Sequence, residues 1–448
     1  MGRQCVRNVL EQGSTIARLN AKDSNVQVGD QGPASFLKIA GWGCYLAMSW
    51  TWCIGMWLPV ILLRDLGVWS FLIFALPNCI GAAAMGGAIA SPTASVRFVE
   101  RHGLMCHTFA WVTLAFQVFF LASMLGLSPL FFGVAGLVVG AGWMLGKVRS
   151  RGRVGVAWVV LAVSLGMLAW FVLSTGDGGE VGGLSEVHHK PLDLVGLACV
   201  CVMGFMLCPY LDPTFHHARQ RFADKQQSVS AFGIGFCIIF ATMIAGTLVY
   251  GSQLLAGAQA EGSVLHPTLL ALPIVIHIAV QAVFTGTEHA RSMGASVGGS
   301  MGGASVKGTD SRRIVSILTA VACGVVVAMI PLNVDRALLG HLTDFEVKYR
   351  LFLAFYGLIA PAYLWICSDW SDWKREETWS KHTGEDRRVW MTRWVVCLIA
   401  LTFAGPMFWI GFIHREYAML IPGVGIILLA RPVARALSGY LSGSRALQ

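Results

Sequence analysis

Apolar residues along this chain gather into runs of about 20 positions, with polar residues in short intervals between them. A helix of that length crosses a hydrocarbon core of ~30 Å. In lipid, only helices or closed barrels satisfy their own backbone groups, and the period-2 alternation of a barrel strand is missing. The runs predict spans over 37–65, 68–96, 104–126, 128–147, 154–174, 192–213, 228–254, 267–287, 313–333, 349–368, 389–412 and 414–434. Residues 1–35 carry charges and no long apolar core, so they read as a cytosolic segment rather than a cleaved signal peptide. They are either a disordered tail or a short amphipathic helix around Val6–Leu19.

Composition agrees with the pattern. Charged residues are 13% of 448 positions and apolar ones 55%, whereas a soluble domain carries about 25% charged residues. Too few charges remain to cover a water-facing surface of this size. Their placement sets orientation. With the N-terminus inside, all but six of the 33 Lys and Arg fall on inside segments, the six being Arg64, Lys190, Arg336, Lys348, Arg350 and Arg415. That asymmetry follows the positive-inside rule and puts both termini of about twelve transmembrane helices in the cytoplasm of an inner or plasma membrane. Arg64 and Asp65 then read as outer-surface residues. The net charge of +9 becomes attraction to the inner leaflet, and no nucleic-acid partner is implied.

Familiar chemistry is missing from the motifs. The cysteines sit mostly inside spans without zinc spacing, and Cys199 and Cys201 point different ways on a helix. They read as small buried apolar residues. No phosphate-binding, dinucleotide or nucleophile-elbow motif occurs, so no cofactor and no enzyme is expected. Gly294–Gly308 reads as a flexible cytosolic linker within 288–312.

Two spans are unusual. The first carries Gly41, Gly43, Gly55 and Pro59 around Ser49-Trp50-Thr51-Trp52. The sixth meets Pro209, Asp212 and Pro213, where missing donors should break the helix near Cys208–Thr214. At membrane depth such a break is tolerated where the backbone lines a cavity. Two interrupted spans five helices apart point to an inverted repeat with its binding site at the interface. The expected organisation is a first five-helix repeat over 36–175, a second over 176–368, a cytosolic loop at 369–388, and two additional helices in 389–448.

On those residues the chain resembles the leucine-transporter fold of the amino acid–polyamine–cation superfamily. Gly204–Lys225 (GFMLCPYLDPTFHHARQRFADK) is similar to the sixth core helix of sodium:solute symporters. The resemblance covers 36–370 as architecture and about 40 residues as sequence. It implies a secondary transporter taking a small organic solute, coupled to Na⁺ or H⁺. A non-transporting subunit or sensor with the same fold stays open, because no paired Ser/Thr stands on span 8; Thr285 and Thr287 are the nearest.

Candidate residues follow from the breaks. Asp212 is an intramembrane acid, functional by default, or the N-cap of a half-helix starting at Thr214. His216 and His217 either relay protons or sit at the interface beside Arg219. His277, Gln281 and Thr285 recur every four residues and share one face, either for ligand or for hydrogen bonds between helices. Asn78 either lines the cavity or binds the carbonyl freed by Pro77. Trp50, Trp52 and Gly55 border the first break and, with Thr214 at the second, could contact substrate. Asp212, His216 and Thr285 are the expected ion- or proton-coupling groups.

Overall fold

The computed structural model describes residues 35–126, 129–146, 148, 150–174, 190–259, 271–295, 307–332, 342–368 and 387–443. The segment around Val6–Leu19, the middle of the Gly-rich stretch and the loop at 369–386 lie outside these residues. Everything described is helical or a short connection, with no strand among the described residues. Helices α1 (Phe36–Ser49) and α2 (Trp52–Leu66) are the halves of one interrupted span, bent by 62°. They are followed by α3 (Val68–Ala88), α4 (Pro92–Arg101), α5 (Gly103–Leu125), α6 (Pro129–Gly146) and α7 (Ser150–Ser174). Next come α8 (Pro191–Leu207), α9 (Pro213–Arg219), α10 (Lys225–Gly233), α11 (Ala241–Gln259), α12 (Ala271–Ala295) and α13 (Lys307–Met329). The described chain ends with α14 (Asp344–Ala354), α15 (Ala360–Cys367), α16 (Arg387–Ile413) and α17 (Leu420–Gly443). Nine described helices are long and apolar enough to cross a membrane, and the α1–α2 pair, taken together, passes the same test of length and composition. Helices α6 and α12 lie where the other two expected spans fall. The chain is an all-α integral membrane protein.

Local chemistry places the ends. The expected span over 68–96 divides, because Ser91 caps the amide of Ala94 at 3.1 Å and Pro92 opens α4. Ser and Pro in those positions start a helix rather than continue one. Span 8 was expected to end at 287, yet α12 runs on to Ala295. Glu288 and His289 prolong it because both are buried against other helices. Span 10 starts earlier than expected, with Thr343 capping the amide of Glu346 at 3.2 Å.

Close approaches seat the interrupted helices. A π-helical segment, Ile234–Phe240, joins α10 to α11, and a second, Phe355–Ile359, joins α14 to α15. Such bulges recur at functional sites. A Cβ on Gly235 would stand 2.6 Å from the Gly43 carbonyl oxygen, so α1 and the first π segment touch backbone to backbone. Phe109, Phe116, Phe119 and Phe120 of α5 are fully buried and tie that helix to α14 through Phe352, stacked on Phe116 at 4.9 Å.

Candidate functional site

The two breaks meet. Helix α1 ends at Ser49, and Trp50 turns extended (φ −68°, ψ 160°). Past α8, a 3-10 turn over Cys208–Leu211 leads to Asp212, which is also extended (φ −78°, ψ 111°). The Thr214 hydroxyl lies 3.2 Å from Ser49 Oγ and joins one break to the other. Helix α12 supports the junction from the side: Thr285 donates to the Met48 carbonyl at 2.8 Å, and Gln281 donates to Ser164 at 3.0 Å.

Carbonyls freed at a helix end are the ligands a broken span offers a cation, and here protein donors already occupy several. Leu46 O accepts from the Trp50 amide and the Ser49 hydroxyl, both at 3.2 Å. Pro209 O accepts from the Asp212 amide at 3.1 Å, and Tyr210 O faces His216 Nε2 at 2.8 Å.

Asp212 is fully buried and caps α9 through Oδ1, which accepts the Thr214 amide at 2.8 Å and the Thr214 hydroxyl at 2.7 Å. Its other oxygen, Oδ2, has no hydrogen-bond partner and faces His289 Nε2 at 3.9 Å. That distance is beyond a hydrogen bond. His289 is fully buried too, and neither ring nitrogen has a partner. Buried polar groups are nearly always bonded, so an acid and an imidazole left open toward each other mark this junction.

An ion network lies to each side of the junction. At the end where α7 begins, Glu288 Oε2 accepts the Tyr45 hydroxyl and an Arg153 N–H, each at 2.7 Å. Arg153 also lies 2.7 Å from His217 Nε2, and the His217 ring packs on Trp42 at 5.6 Å. This cluster ties α1, α7, α9 and α12 together. At the opposite end, Arg64 reaches Glu346 through two bonds of 2.9 and 2.6 Å. Arg350 bridges Glu346 and Asp65, and donates to the Phe412 carbonyl at 2.8 Å. Tyr417 completes that network by donating to Asp65 at 2.8 Å. Asp65 is therefore not a surface residue: its side chain is 2% exposed, because Arg350 and Tyr417 replace the water it would otherwise bind.

The other predicted residues are distributed as follows. Trp50 is buried, and its indole N–H donates to Asn78 Oδ1 at 3.1 Å. Asn78 thus serves Trp50 rather than the carbonyl freed by Pro77. Trp52 packs edge-on against Phe120 at 5.4 Å, and its indole N–H has no partner. A Cβ on Gly55 would lie 3.1 Å from the Phe240 ring. His277 is buried with Nδ1 unpartnered. His216 is buried with both nitrogens engaged, Nε2 by Tyr210 O and Nδ1 by the Ser95 hydroxyl at 2.8 Å. Only a donor satisfies a carbonyl, so Nε2 carries the proton. Glu288, His289, Arg153 and Gln117 were not among the predicted site residues. Gln117 of α5 is buried with both amide atoms unpartnered, and its Oε1 is 3.5 Å from where Gly286 would carry a Cβ. A signal existed for the first pair: Glu288 and His289 directly continue an apolar helix.

No protein-family model matches the chain, and no curated protein does. Among solved structures, it is similar to a manganese transporter of Eremococcus coleocola in complex with an aromatic bis-isothiourea substituted compound. Identity there is 13%, the TM-score 0.49, and the coverage 93% of this chain and 98% of that one. It is similar also to Mhp1, a nucleobase-cation-symport-1 family transporter in a closed conformation with bromovinylhydantoin bound. That match has 13% identity, a TM-score of 0.40, and coverage of 91% and 92%.

Proposed function

We infer that the chain is a secondary transporter that moves a small organic solute across the membrane by alternating access. The observation that carries this reading is the open Asp212–His289 pair at the meeting point of two interrupted helices, closed off by an ion network toward each end. Opening one network at a time would expose the junction to one side and then the other, which is what transport requires and a static scaffold does not. The solute's own polar atoms would answer the unpartnered Gln117 amide, His289 ring and Trp52 indole. Gly286 and His289 share one face of α12, and Gln117 of α5 lies against Gly286. In this reading the repeats are 36–175 and 176–368, and the lysine- and arginine-rich segments face the cytoplasm.

A second reading, a sensor that binds a solute without moving it, is favoured by the hydroxyls on α12. Thr285 and Thr287 each donate to a carbonyl rather than standing free as ion ligands. One experiment separates the two. Purified protein is screened against organic solutes by thermal unfolding, since a ligand of the folded state raises Tm with its concentration. The solute found is then offered to proteoliposomes. Accumulation against a gradient is expected; stabilisation without accumulation would establish the sensor instead.

A further inference from the structure

We propose that the coupling ion is a proton, held by the pair of Asp212 at the second break and His289 on α12. The inference rests on the transporter reading, and charge balance and geometry support it.

Consider the charges around the junction. Glu288 is matched by Arg153, which donates to it at 2.7 Å. Asp212 has no such match: among the described residues no arginine or lysine is bonded to it. His289 of α12 faces it at 3.9 Å, and Tyr45 of α1, Cys106 of α5 and Cys208 just past α8 lie within range of its charge. His216 on α9 is held by Ser95 and Tyr210, and Tyr45 donates to Glu288. With Asp212 ionised and His289 neutral, the pair carries one uncompensated negative charge in a site without water contact. Leaving such a charge buried and unpaired is strongly unfavourable, so the site calls for one cation.

A metal cation of single charge would need a shell of several oxygens, and several of those at the two breaks are already engaged within the protein, the Thr51 hydroxyl being unpartnered. The Met48, Leu46, Pro209 and Tyr210 carbonyls accept protein donors, and the Thr214 hydroxyl donates to Asp212 itself. No group of three or more metal-ligating side chains occurs among the described residues. A proton needs only one lone pair. It is taken on Asp212 Oδ2, giving a neutral carboxylic acid that faces a neutral imidazole, so the pair comes to zero net charge. The 3.9 Å between Oδ2 and Nε2 then has only to close by about 1 Å to make a hydrogen bond from the acid to the ring nitrogen. Solute binding beside Gln117 would be linked to that step through the shared face of α12.

Infrared difference spectroscopy on the purified full chain, in lipid, tests this with protons alone as the probe. The C=O stretch of a protonated, dry carboxylic acid is followed as pH is stepped, in choline, potassium and sodium salts. We expect a band that follows a one-proton curve, is the same in all three salts, vanishes in Asp212→Asn and moves in frequency in Asp212→Glu. In His289→Gln its midpoint should shift, because the imidazole that faces the carboxyl at 3.9 Å is replaced. Sodium abolishing the band at constant pH would overturn the proposal, and so would the absence of any titrating carboxyl band in the wild type. Both outcomes are read on wild-type protein, so they hold even where a variant fails to fold. Failure of the transporter reading would look different: a solute that binds without accumulating, with the carboxyl titration intact.

Discussion

Thr285 on α12 donates its hydroxyl to the carbonyl of Met48, next to the last residue of α1, at 2.8 Å. Carbonyls in a helix's last turn have no partner within the helix, and Met48 sits where water does not reach. Thr285→Val keeps the shape and removes the donor. It should destabilise the protein by about 1–3 kcal/mol, the cost of leaving a buried acceptor unbonded, while Thr285→Ser should restore most of that. Thermal unfolding in detergent reads both; equal Tm for the Val variant and wild type would deny the bond any role.

The backbone contact between α1 and the first π segment gives a sharper contrast. A methyl group on Gly235 would enter the space of the Gly43 carbonyl, at 2.6 Å, and backbone cannot swing aside as a side-chain end can. Gly235→Ala should cost about 1–3 kcal/mol, as overpacking does. Gly233, two residues earlier, has nothing within 4 Å of its own Cβ position. Gly233→Ala should be neutral or stabilising by up to about 1 kcal/mol. Similar Tm shifts in both variants would mean that the close approach is not made.

How much of this was legible in the residues differs between the frame and the site. The interruption at Asp212 was readable because Pro209 and Pro213 lack backbone donors and Asp is a good cap, all of it local chemistry. The bend at Trp50–Thr51 was legible more weakly, through glycine and proline crowding. Asp65 was misread because its partner Arg350 lies 285 positions away, and hydropathy registers a charge without its counter-charge. The same limit hid Glu288 and His289. As charges after an apolar run they look like the start of a loop, and only the placement of Arg153, Tyr45 and Asp212 makes them interior residues.

His102, between α4 and α5, is 4% exposed and bonded through Nδ1 to the Tyr363 hydroxyl at 2.7 Å. Burial, with Arg101 and His216 adding to it, pushes its pKa down to about 3. The unfolded chain takes up that proton near pH 6.5, so the unfolded state binds more protons in between. Stability is therefore full above about pH 6.5 and falls as pH drops toward 3. This residue alone should remove roughly 2 kcal/mol between pH 6.5 and 5. His102→Gln is expected to flatten the Tm-against-pH curve in that window, whatever it does to Tm at pH 8. A slope unchanged by the substitution would show that His102 titrates normally in the folded protein.

The network of Arg64, Asp65, Glu346 and Arg350 carries two charges of each sign, and Arg350 is its most enclosed member, with a side chain 1% exposed. Removing Arg350 takes away the most buried cation of the cluster and leaves its two carboxylates to Arg64 and to the exposed Arg415, 3.5 Å from Asp65. Arg350→Met should therefore cost about 3–5 kcal/mol, as breaking a buried pair does. Replacing Glu346 as well, in Arg350→Met/Glu346→Gln, removes the carboxylate that Arg350 had bonded, and part of the loss should come back. The double variant should fall short of the sum of the single losses by about 0.5–3 kcal/mol, the range for residues sharing a network. Plain additivity would mean the four groups act separately. Hydrogen exchange separates a local seal from general weakening. If this network closes one end of the protein, Arg350→Met should speed exchange of the α2 amides at Ile61–Leu66, with the amides of α12 near Glu288 protected as in wild type. Equal acceleration at both ends would mean that Arg350 supports the whole bundle and gates neither side.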